Sequence, residues 1–311
     1  MNAARRIAAL DAARGAALGA MFVYHFTWDL AHFELIDRAA PYAAPMRFFS
    51  HAIAFAFLFI AGVSLALARP RAARAFWRRA AVVGGAAALV TGASVVFAPN
   101  APILFGILHA IALASVIALP FLAAPWPAAA CAALVVALAP AAFSSPTFDP
   151  PALAWLGFGA HDPHTMDFRP LFPWAAPLLA GVAFGLSPVG AAVAARLAPW
   201  RGTSRVSRLA QWGGRRSLLI YLTHQPLFFL LLTAYVALAR PVPPADEATF
   251  RKECARECAS TGAPARVCAD SCGCVSAQMK RLNLWPRLVS NTLDAPETAI
   301  LAQVSRDCAR R

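Results

Sequence analysis

Charged residues are scarce in this sequence. They make up 14% of its 311 residues, whereas soluble globular proteins carry about one quarter. Only two of the basic residues are lysines, Lys252 and Lys280, so arginine supplies nearly all of the net charge of +13. The apolar residues form continuous runs of about twenty without the two-residue alternation of a membrane β-barrel. These features exclude an ordinary soluble enzyme and predict an all-α, polytopic helical membrane protein.

The apolar runs predict about seven transmembrane helices. Each run is long enough to cross a hydrocarbon core of about 30 Å. The first does not finish in a small-residue cleavage site, so we interpret it as a retained span rather than a signal peptide. The predicted spans are Arg14–Leu35, Ser50–Ala68, Ala80–Phe97, Ile103–Ala123, Pro127–Phe143, Trp174–Ala195 and Ser217–Ala239.

Arginines predict the orientation of these spans. Fourteen of them precede or open the first span, or lie in the loops after the second and sixth spans, whereas the alternate short loops hold only Arg38, Arg47 and Arg169. Because basic loops remain on the cytoplasmic side, we expect a cytoplasmic N-terminus and an external C-terminus. The arginines are thus topology determinants, and nucleic acid is not an expected partner.

Cysteines are concentrated at the C-terminus. Six of the seven follow residue 240, which predicts a transmembrane domain over 1–240 and a Cys-rich extracytoplasmic tail over 241–311. Such density is typical of a disulfide framework in an oxidising compartment, and six cysteines leave fifteen connectivities open. The tail has no histidine, which disfavours a zinc site, and no metal is expected. The six residues are Cys254, Cys258, Cys268, Cys272, Cys274 and Cys308.

The spacing of the tail cysteines suggests a local structure. Two Cys-x-x-x-Cys pairs lie on either side of Pro264 and predict a short helical hairpin stapled by disulfides. The remaining cysteine, Cys131, lies alone in the fifth span, where we expect a small buried residue.

A polar stripe runs along the first predicted span. Asp11, Arg14, His25, Asp29 and His32 recur at spacings that place them on one helix face. Each ionisable group inside a span costs about 2.5–3.5 kcal/mol. The stripe therefore predicts a helix that lines a polar cavity, with His25 and Asp29, one turn apart, as its main functional candidates. Asp11 and Arg14 are equally well explained as an ion pair at the helix start.

Further polar residues occur in the later spans and in one outer loop. His109 lies in the fourth span, and Tyr221 and His224 share one face of the seventh span, nearer the cytoplasm. Either histidine would also be explained by a hydrogen bond to a neighbouring helix. The outer loop contributes Asp167 and Arg169. Polar groups on both sides are expected where a chemical group passes across a membrane.

Five segments stand in the order expected for one family. Over about residues 5 to 235 the chain resembles the bacterial relatives of the heparan-alpha-glucosaminide N-acetyltransferase catalytic domain, within the wider class of transmembrane acyltransferases. The segments are RRIAALDAARGAALGAMFVYHFTWDL, FLFIAGVSLALA, FGILHAIALASVIALPFL, DFRPLFPWAAPLLAGVAFG and GRRSLLIYLTHQPLFF.

The resemblance implies transfer of an acyl group, expected to be acetyl, from cytoplasmic acetyl-CoA to an extracytoplasmic acceptor such as a glycan or sugar. The family's histidine falls on His25, and its Asp-x-x-Arg-Gly opening falls on Asp11, Arg14 and Gly15. The chain has His109–Ala110 where the lysosomal enzyme has Gln-Arg, and it lacks that enzyme's long luminal insertions. Heparan glucosamine is therefore not carried over as the acceptor.

The chemistry of acyl transfer suggests a role for each candidate. His25 would act as general base or nucleophile, with Asp29 orienting its ring, and His109 or Tyr221 would stabilise the oxyanion. The residues expected to bind acetyl-CoA are Asp11, Arg14, Arg215, Arg216, Tyr221 and His224. The residues expected to bind the acceptor are Asp167, Arg169 and Trp174.

Two other functions fit the same residues. A proton-coupled small-molecule transporter would use the His/Asp stripe as a relay, although no internal repeat of the kind common in transporters is visible. A membrane haem protein would use His25 and His109 as axial ligands. The high alanine and arginine content is typical of a GC-rich bacterial genome, so the expected setting is a bacterial inner membrane with a periplasmic tail.

Overall fold

The computed structural model describes residues 7–68, 73–239, 247–260, 262–289 and 292–310. Arg5, Arg6, Arg69 and Arg71, which contribute to the predicted orientation, lie outside these ranges, as does the predicted boundary between 240 and 241. Regular secondary structure within the described ranges is helical, apart from one isolated parallel bridge between Phe105 and Phe168. The predicted all-α class is confirmed.

Within residues 7–68 and 73–239, ten α-helices follow one another. They are α1 Ala8–His32, α2 Ala44–Ala68, α3 Ala73–Phe97, α4 Ile107–Ile117, α5 Trp126–Ala142, α6 Pro151–Ala154, α7 Leu171–Leu186, α8 Pro188–Leu197, α9 Arg205–Arg215 and α10 Ser217–Ala239.

Several of these helices have the dimensions of membrane spans. Helices α2, α3 and α10 are long and apolar enough to cross a bilayer by themselves, and α7 and α8 form one further span if their 77° bend is counted as a break within it. Helices α4 and α5 are apolar but shorter, and α1 has 25 residues. The chain is thus a helical membrane protein, and these elements are compatible with seven crossings.

The chain divides into two compact units. The first comprises Met1–Tyr24 and Arg47–Gln225, and the second comprises His25–Met46 and Pro226–Arg311. Two helices, α1 and α10, contribute residues to both units.

Small residues allow close helix packing in the first unit. A methyl group on Gly62 of α2 would overlap the carbonyl oxygen of Leu178 on α7, and one on Gly181 of α7 would overlap that of Phe59 on α2. Contact at backbone distance is common between membrane helices, where van der Waals packing replaces the hydrophobic drive of water. Leu178 is accordingly fully buried in the core.

The C-terminal tail contains four short helices held by three disulfides. The bonds Cys254–Cys272 and Cys258–Cys268 join the first two helices as the predicted stapled hairpin, and Cys274–Cys308 ties in the last helix. Met279 and Trp285 form a small core between the helices. The four helices are α11 Glu247–Ser260, α12 Ala265–Arg281, α13 Trp285–Val289 and α14 Ala295–Ala309.

One sequence-based expectation about a cysteine is wrong. Cys131 on α5 is exposed rather than buried. Its neighbour Ala129 is fully buried, so α5 packs on the core with another face. In a membrane span an outward-facing residue meets lipid, where a thiol carries little penalty.

Candidate functional site

The start of α1 carries an ion pair anchored to α2. Asp11 is buried, and its carboxylate lies 2.8 Å from the guanidinium of Arg14. A second nitrogen of Arg14 donates a hydrogen bond to the hydroxyl of Ser64 on α2. The proposed donor-binding residues Asp11 and Arg14 therefore form one fixed unit, which agrees with the reading of this pair as an ion pair at the helix start.

Helix α9 packs directly on this part of α1. A methyl group on Gly15 would overlap the carbonyl oxygen of Ala210, and a methyl group on Gly214 would overlap that of Asp11. The close contact places the exposed Arg215 beside the start of α1. Two groups of predicted donor-binding residues, one at the start of α1 and one at the end of α9, are thus brought together.

A second cluster forms around Arg169. Its guanidinium donates a hydrogen bond to the hydroxyl of Ser50 at 2.7 Å and lies 4.8 Å from the centre of the Trp174 ring. The carboxylate of Asp167 is 3.8 Å from the same guanidinium. The ring of His51 packs edge-on against Trp174. The three predicted acceptor-binding residues Asp167, Arg169 and Trp174 therefore lie together.

The N-terminal end of α4 connects this cluster to His109. The Asp167 carboxylate accepts a hydrogen bond from the backbone N–H of Ile107 at 2.9 Å, and His109 Nδ1 accepts one from the N–H of Gly106 at 3.3 Å. The Nε2 atom of His109 lies 3.3 Å from the hydroxyl of Thr91, which itself donates to the carbonyl of Ile103. Because Nδ1 accepts a hydrogen bond, the ring proton is on Nε2, which donates a hydrogen bond to the Thr91 hydroxyl oxygen. In this arrangement His109 acts first as a cap of its own helix.

A groove of about 460 Å³ runs between α3 and α4 next to this histidine. Trp77 and Ala87 line it on α3, and Phe105 and Val116 line it on the other side. Apart from His109, its lining consists of apolar residues and glycine.

Tyr221 and His224 lie on α10 within the first unit. Tyr221 is in electrostatic range of Asp167 and Arg169 and packs against the core. His224 is 5% exposed, its Nδ1–H donates to the carbonyl of Tyr221 at 2.6 Å, and its ring stacks on Phe22. The structure thus places Tyr221 near residues expected to bind the acceptor, although it was expected to bind the donor.

His25 and Asp29 belong to the second unit. They lie one turn apart on α1, where His25 is half-buried and Asp29 is completely buried. Farther along the helix, His32 stacks on Trp28 with ring centres 5.4 Å apart and also contacts Phe229 at 5.2 Å. An ionisable carboxyl group with no solvent exposure is expensive to keep inside a membrane protein, so Asp29 needs a functional or structural reason.

Sequence reasoning did not select several side chains that organise these clusters. They are hydroxyl or imidazole groups of the spans, and polarity within a span would have been the signal to find them. In the described part of the chain, no three His, Cys, Asp or Glu side chains form a group that could hold a metal ion. The residues not selected are Ser50, His51, Ser64 and Thr91.

One comparison with known proteins identifies a relationship. The family model described as heparan-alpha-glucosaminide N-acetyltransferase, catalytic, matches residues 6–226, which is more than two thirds of the chain. The match includes the ion pair of α1, His25 and Asp29, the Arg169 cluster and His224. No curated protein and no solved structure matches the chain.

Proposed function

Because the chain belongs to the heparan-alpha-glucosaminide N-acetyltransferase catalytic family and is therefore a membrane acetyltransferase, we propose that it transfers an acetyl group from acetyl-CoA to an acceptor across the membrane. The donor is supplied from the cytoplasm, and the acceptor is an extracytoplasmic glycan or sugar. In this reaction an acceptor hydroxyl or amine attacks the thioester carbonyl, the C–S bond breaks, and the sulfur of coenzyme A leaves with a proton.

The observation that carries this proposal is the pair His25 and Asp29. Acyl transfer needs a base or a nucleophile, and a half-buried histidine one helical turn from a completely buried carboxylate supports that role. In the proposed mechanism the imidazole of His25 removes the proton of the acceptor as it attacks. Alternatively, His25 carries the acetyl group itself and is regenerated by the acceptor. In both versions the carboxylate of Asp29 orients the ring and stabilises its charged form.

Donor binding is assigned to the start of α1 and the end of α9. Coenzyme A carries several phosphate charges, and arginine matches phosphate geometry with two parallel hydrogen bonds. Arg215 and Arg216 are exposed and offer such contacts, whereas Arg14 is already paired with Asp11. Arg14 therefore acts mainly by fixing the site. His224 completes this group in our proposal, whereas Tyr221, which lies in range of Asp167 and Arg169, is assigned to the acceptor side.

Acceptor binding is assigned to the Arg169 cluster. Asp167 and Arg169 present an acceptor and a donor of hydrogen bonds close together, and Trp174 offers a flat apolar surface beside them. Such a combination suits a hydroxyl-rich sugar. His109 is the proposed donor to the oxyanion, which would take the place of the Thr91 hydroxyl as the partner of Nε2.

The proposed setting is the bacterial inner membrane with a cytoplasmic N-terminus and a periplasmic C-terminus. Two independent features support it. Arginines are concentrated in the short loops on one side of the predicted spans, as expected for the cytoplasmic side. The tail forms three disulfides, which persist in an oxidising compartment.

The test measures acetyl-CoA hydrolysis and acetyl exchange by the purified protein in detergent. We expect turnover by wild type, a loss of at least about a hundredfold in His25→Ala, and a comparable loss in Asp29→Asn. Asp162→Ala, which alters an exposed loop residue, serves as the control and should retain wild-type turnover.

The same preparation distinguishes the competing functions. Labelled acetyl-CoA should bind to wild type and to His25→Ala alike, because donor binding is assigned to residues other than His25. Absence of both binding and turnover would overturn the acyltransferase and favour the proton-coupled transporter. A visible haem spectrum would instead identify His25 and His109 as axial ligands.

A further inference from the structure

Helix α9 lies in a strongly basic segment. Between Leu186 and Ser217 the sequence contains six arginines and no acidic residue. On α9 itself, Arg205 and Arg208 are exposed, and neither takes part in any ion pair among the described residues. A local charge of this size without internal neutralisation favours an anionic partner.

Apolar residues are interleaved with these arginines. Val206 is 79% exposed, Leu209 is 68% exposed and Trp212 is 45% exposed. Their spacing of three residues places them on one side of the helix. An 11-residue helix with so much exposed apolar surface would be unfavourable in contact with water alone.

The packing of α9 fixes the direction of these surfaces. Gln211 and Gly214 are buried, and Gln211 donates a hydrogen bond to the carbonyl of Arg201 at 2.8 Å. Gly214 meets the backbone of Asp11 on α1. These two contacts fix the buried face of α9. The arginines and apolar residues on its exposed surface therefore keep a constant orientation relative to α1.

The mixture of arginines and apolar residues on α9 fits some anionic partners better than others. Phosphates of a nucleic acid or of a soluble nucleotide would match the arginines but would leave Val206, Leu209 and Trp212 exposed to water. A phospholipid leaflet offers anionic headgroups next to hydrocarbon and so matches both. A helix whose exposed surface carries arginines, apolar side chains and a tryptophan is typical of segments that lie in the plane of a membrane surface.

We propose that α9 is an interfacial helix that binds the headgroups of anionic phospholipids through Arg205 and Arg208, with Val206, Leu209 and Trp212 inserted at the level of the upper acyl chains. The chain is anchored by its spanning helices, so α9 contributes lipid selectivity rather than membrane attachment. The inference does not depend on the acetyltransfer reaction.

The first experiment tests insertion of the apolar side. The full chain is reconstituted into vesicles of phosphatidylcholine containing phosphatidylglycerol, with bromine atoms on the upper acyl chains of the phosphatidylglycerol as a contact quencher. The contribution of Trp212 is the difference between wild type and Trp212→Phe. We expect this contribution to be quenched. If it is unaffected by brominated lipid of either headgroup, the apolar side faces water or another protein chain, and the proposal is wrong.

The second experiment tests headgroup recognition. At equal mole fraction, brominated phosphatidylglycerol should quench Trp212 more than brominated phosphatidylcholine does. To reach the same quenching of Trp212 as wild type, the double variant Arg205→Gln/Arg208→Gln should need about fivefold more phosphatidylglycerol for each arginine removed. Equal quenching by both lipids, unchanged in the double variant, would overturn the role of the arginines.

A matched control removes the same charge elsewhere. Lys252→Gln/Arg256→Gln alters two exposed basic residues of α11, and it should leave the quenching of Trp212 at the wild-type level. Size-exclusion chromatography of every variant reports correct folding. It also detects dimers of the chain. If Trp212 were not quenched and a dimer of the wild type were lost in Leu209→Ser, the partner of this surface would be a second copy of the chain and not lipid.

Discussion

The carboxylate of Asp167 accepts a hydrogen bond from the backbone N–H of Ile107 at 2.9 Å, across 60 residues of sequence. The first N–H groups of a helix have no partner within it and form the positive end of its dipole. A carboxylate at this point therefore stabilises α4 and holds the loop that carries Arg169. Asp167, which is expected to bind the acceptor, and His109, which is expected to stabilise the oxyanion, therefore both contact the N-terminal end of α4.

Replacing Asp167 should therefore lower stability as well as activity. In Asp167→Ala we expect the free energy of unfolding to fall by about 1–2 kcal/mol, the usual cost of losing a helix cap, and Asp167→Asn should recover part of it through its amide oxygen. Thermal unfolding in detergent measures both. Asp162→Ala, in the same loop but exposed, should match wild type. A loss as large in that control would mean that the loop, rather than the cap, is sensitive.

His109 can be separated into a capping role and a chemical role. Asparagine places an oxygen where Nδ1 accepts the Gly106 N–H, so His109→Asn should keep near wild-type stability, whereas His109→Ala should lose about 1 kcal/mol. Neither variant offers the Nε2–H, and we expect turnover to fall at least about a hundredfold in both. Full turnover of His109→Asn would show that the residue serves only as a cap.

Close contact between α9 and α1 predicts unequal effects at adjacent glycines. Gly214→Ala would force a methyl group into the carbonyl of Asp11, and we expect a loss of about 1–3 kcal/mol from overpacking. At Gly213 the nearest atom to a new methyl group is a side-chain carbon of Ile220 at 3.9 Å. Gly213→Ala should therefore be neutral or slightly stabilising. Thermal unfolding midpoints of the two variants provide the comparison, and equal midpoints would contradict the packing.

The cysteine pattern predicts a simple labelling result. In wild type denatured without reductant, a maleimide should modify one thiol, that of Cys131, since the other six form disulfides. After reduction it should modify seven. Mass spectrometry counts the labels, and Cys131→Ser should take up none before reduction. Labelling of tail cysteines in the unreduced protein would place the tail in a reducing compartment.

The loop that contains Asp149 and His161 should lose order in acid. A hydrogen bond from His161 lowers the pKa of the Asp149 carboxyl, which also accepts the backbone N–H of Ala160 at 2.7 Å. Because the folded loop favours the charged carboxylate, its contribution is present above the pKa of an unfolded aspartate and disappears as the pH falls through the lowered pKa.

Hydrogen exchange measures this contribution. The amides of Ala160 and His161 should be more protected in wild type than in His161→Gln at neutral pH, and the two proteins should converge below the lowered pKa of Asp149. Equal protection at every pH would mean that the bond between His161 and Asp149 does not order the loop.

Much of the architecture was predictable from the sequence because its signals are local. Apolar runs of spanning length predicted helices, and each predicted span overlaps helix in the structure, although α4 covers only Ile107–Ile117 of the fourth. The two Cys-x-x-x-Cys pairs around Pro264 predicted the hairpin of α11 and α12. Neither signal contained the break between α7 and α8, where an apolar run continues across Ser187 although the helix axis turns by 77°.

The candidate site was predicted only in part. Residue type and depth within a span selected His25, Asp29 and His109 as candidates, since an ionisable group there needs a reason. Their partners could not be found in the same way. Ser50 meets Arg169 across 119 residues of sequence, and Thr91 meets His109 from another helix, so these contacts depend on which helix faces are brought together.

The sequence by itself determined that this is a helical membrane protein of an acetyltransferase family with a disulfide-rich tail, because hydrophobic length, cysteine spacing and motif order are properties of the linear chain. Only the tertiary structure decided the pairing of the cysteines and the joint anchoring of Asp167 and His109 at α4. It also decided the contacts of Gly15 with Ala210 and of Gly214 with Asp11, by which α9 packs on α1. Each of these depends on backbone approach between segments distant in the sequence, which local composition does not specify.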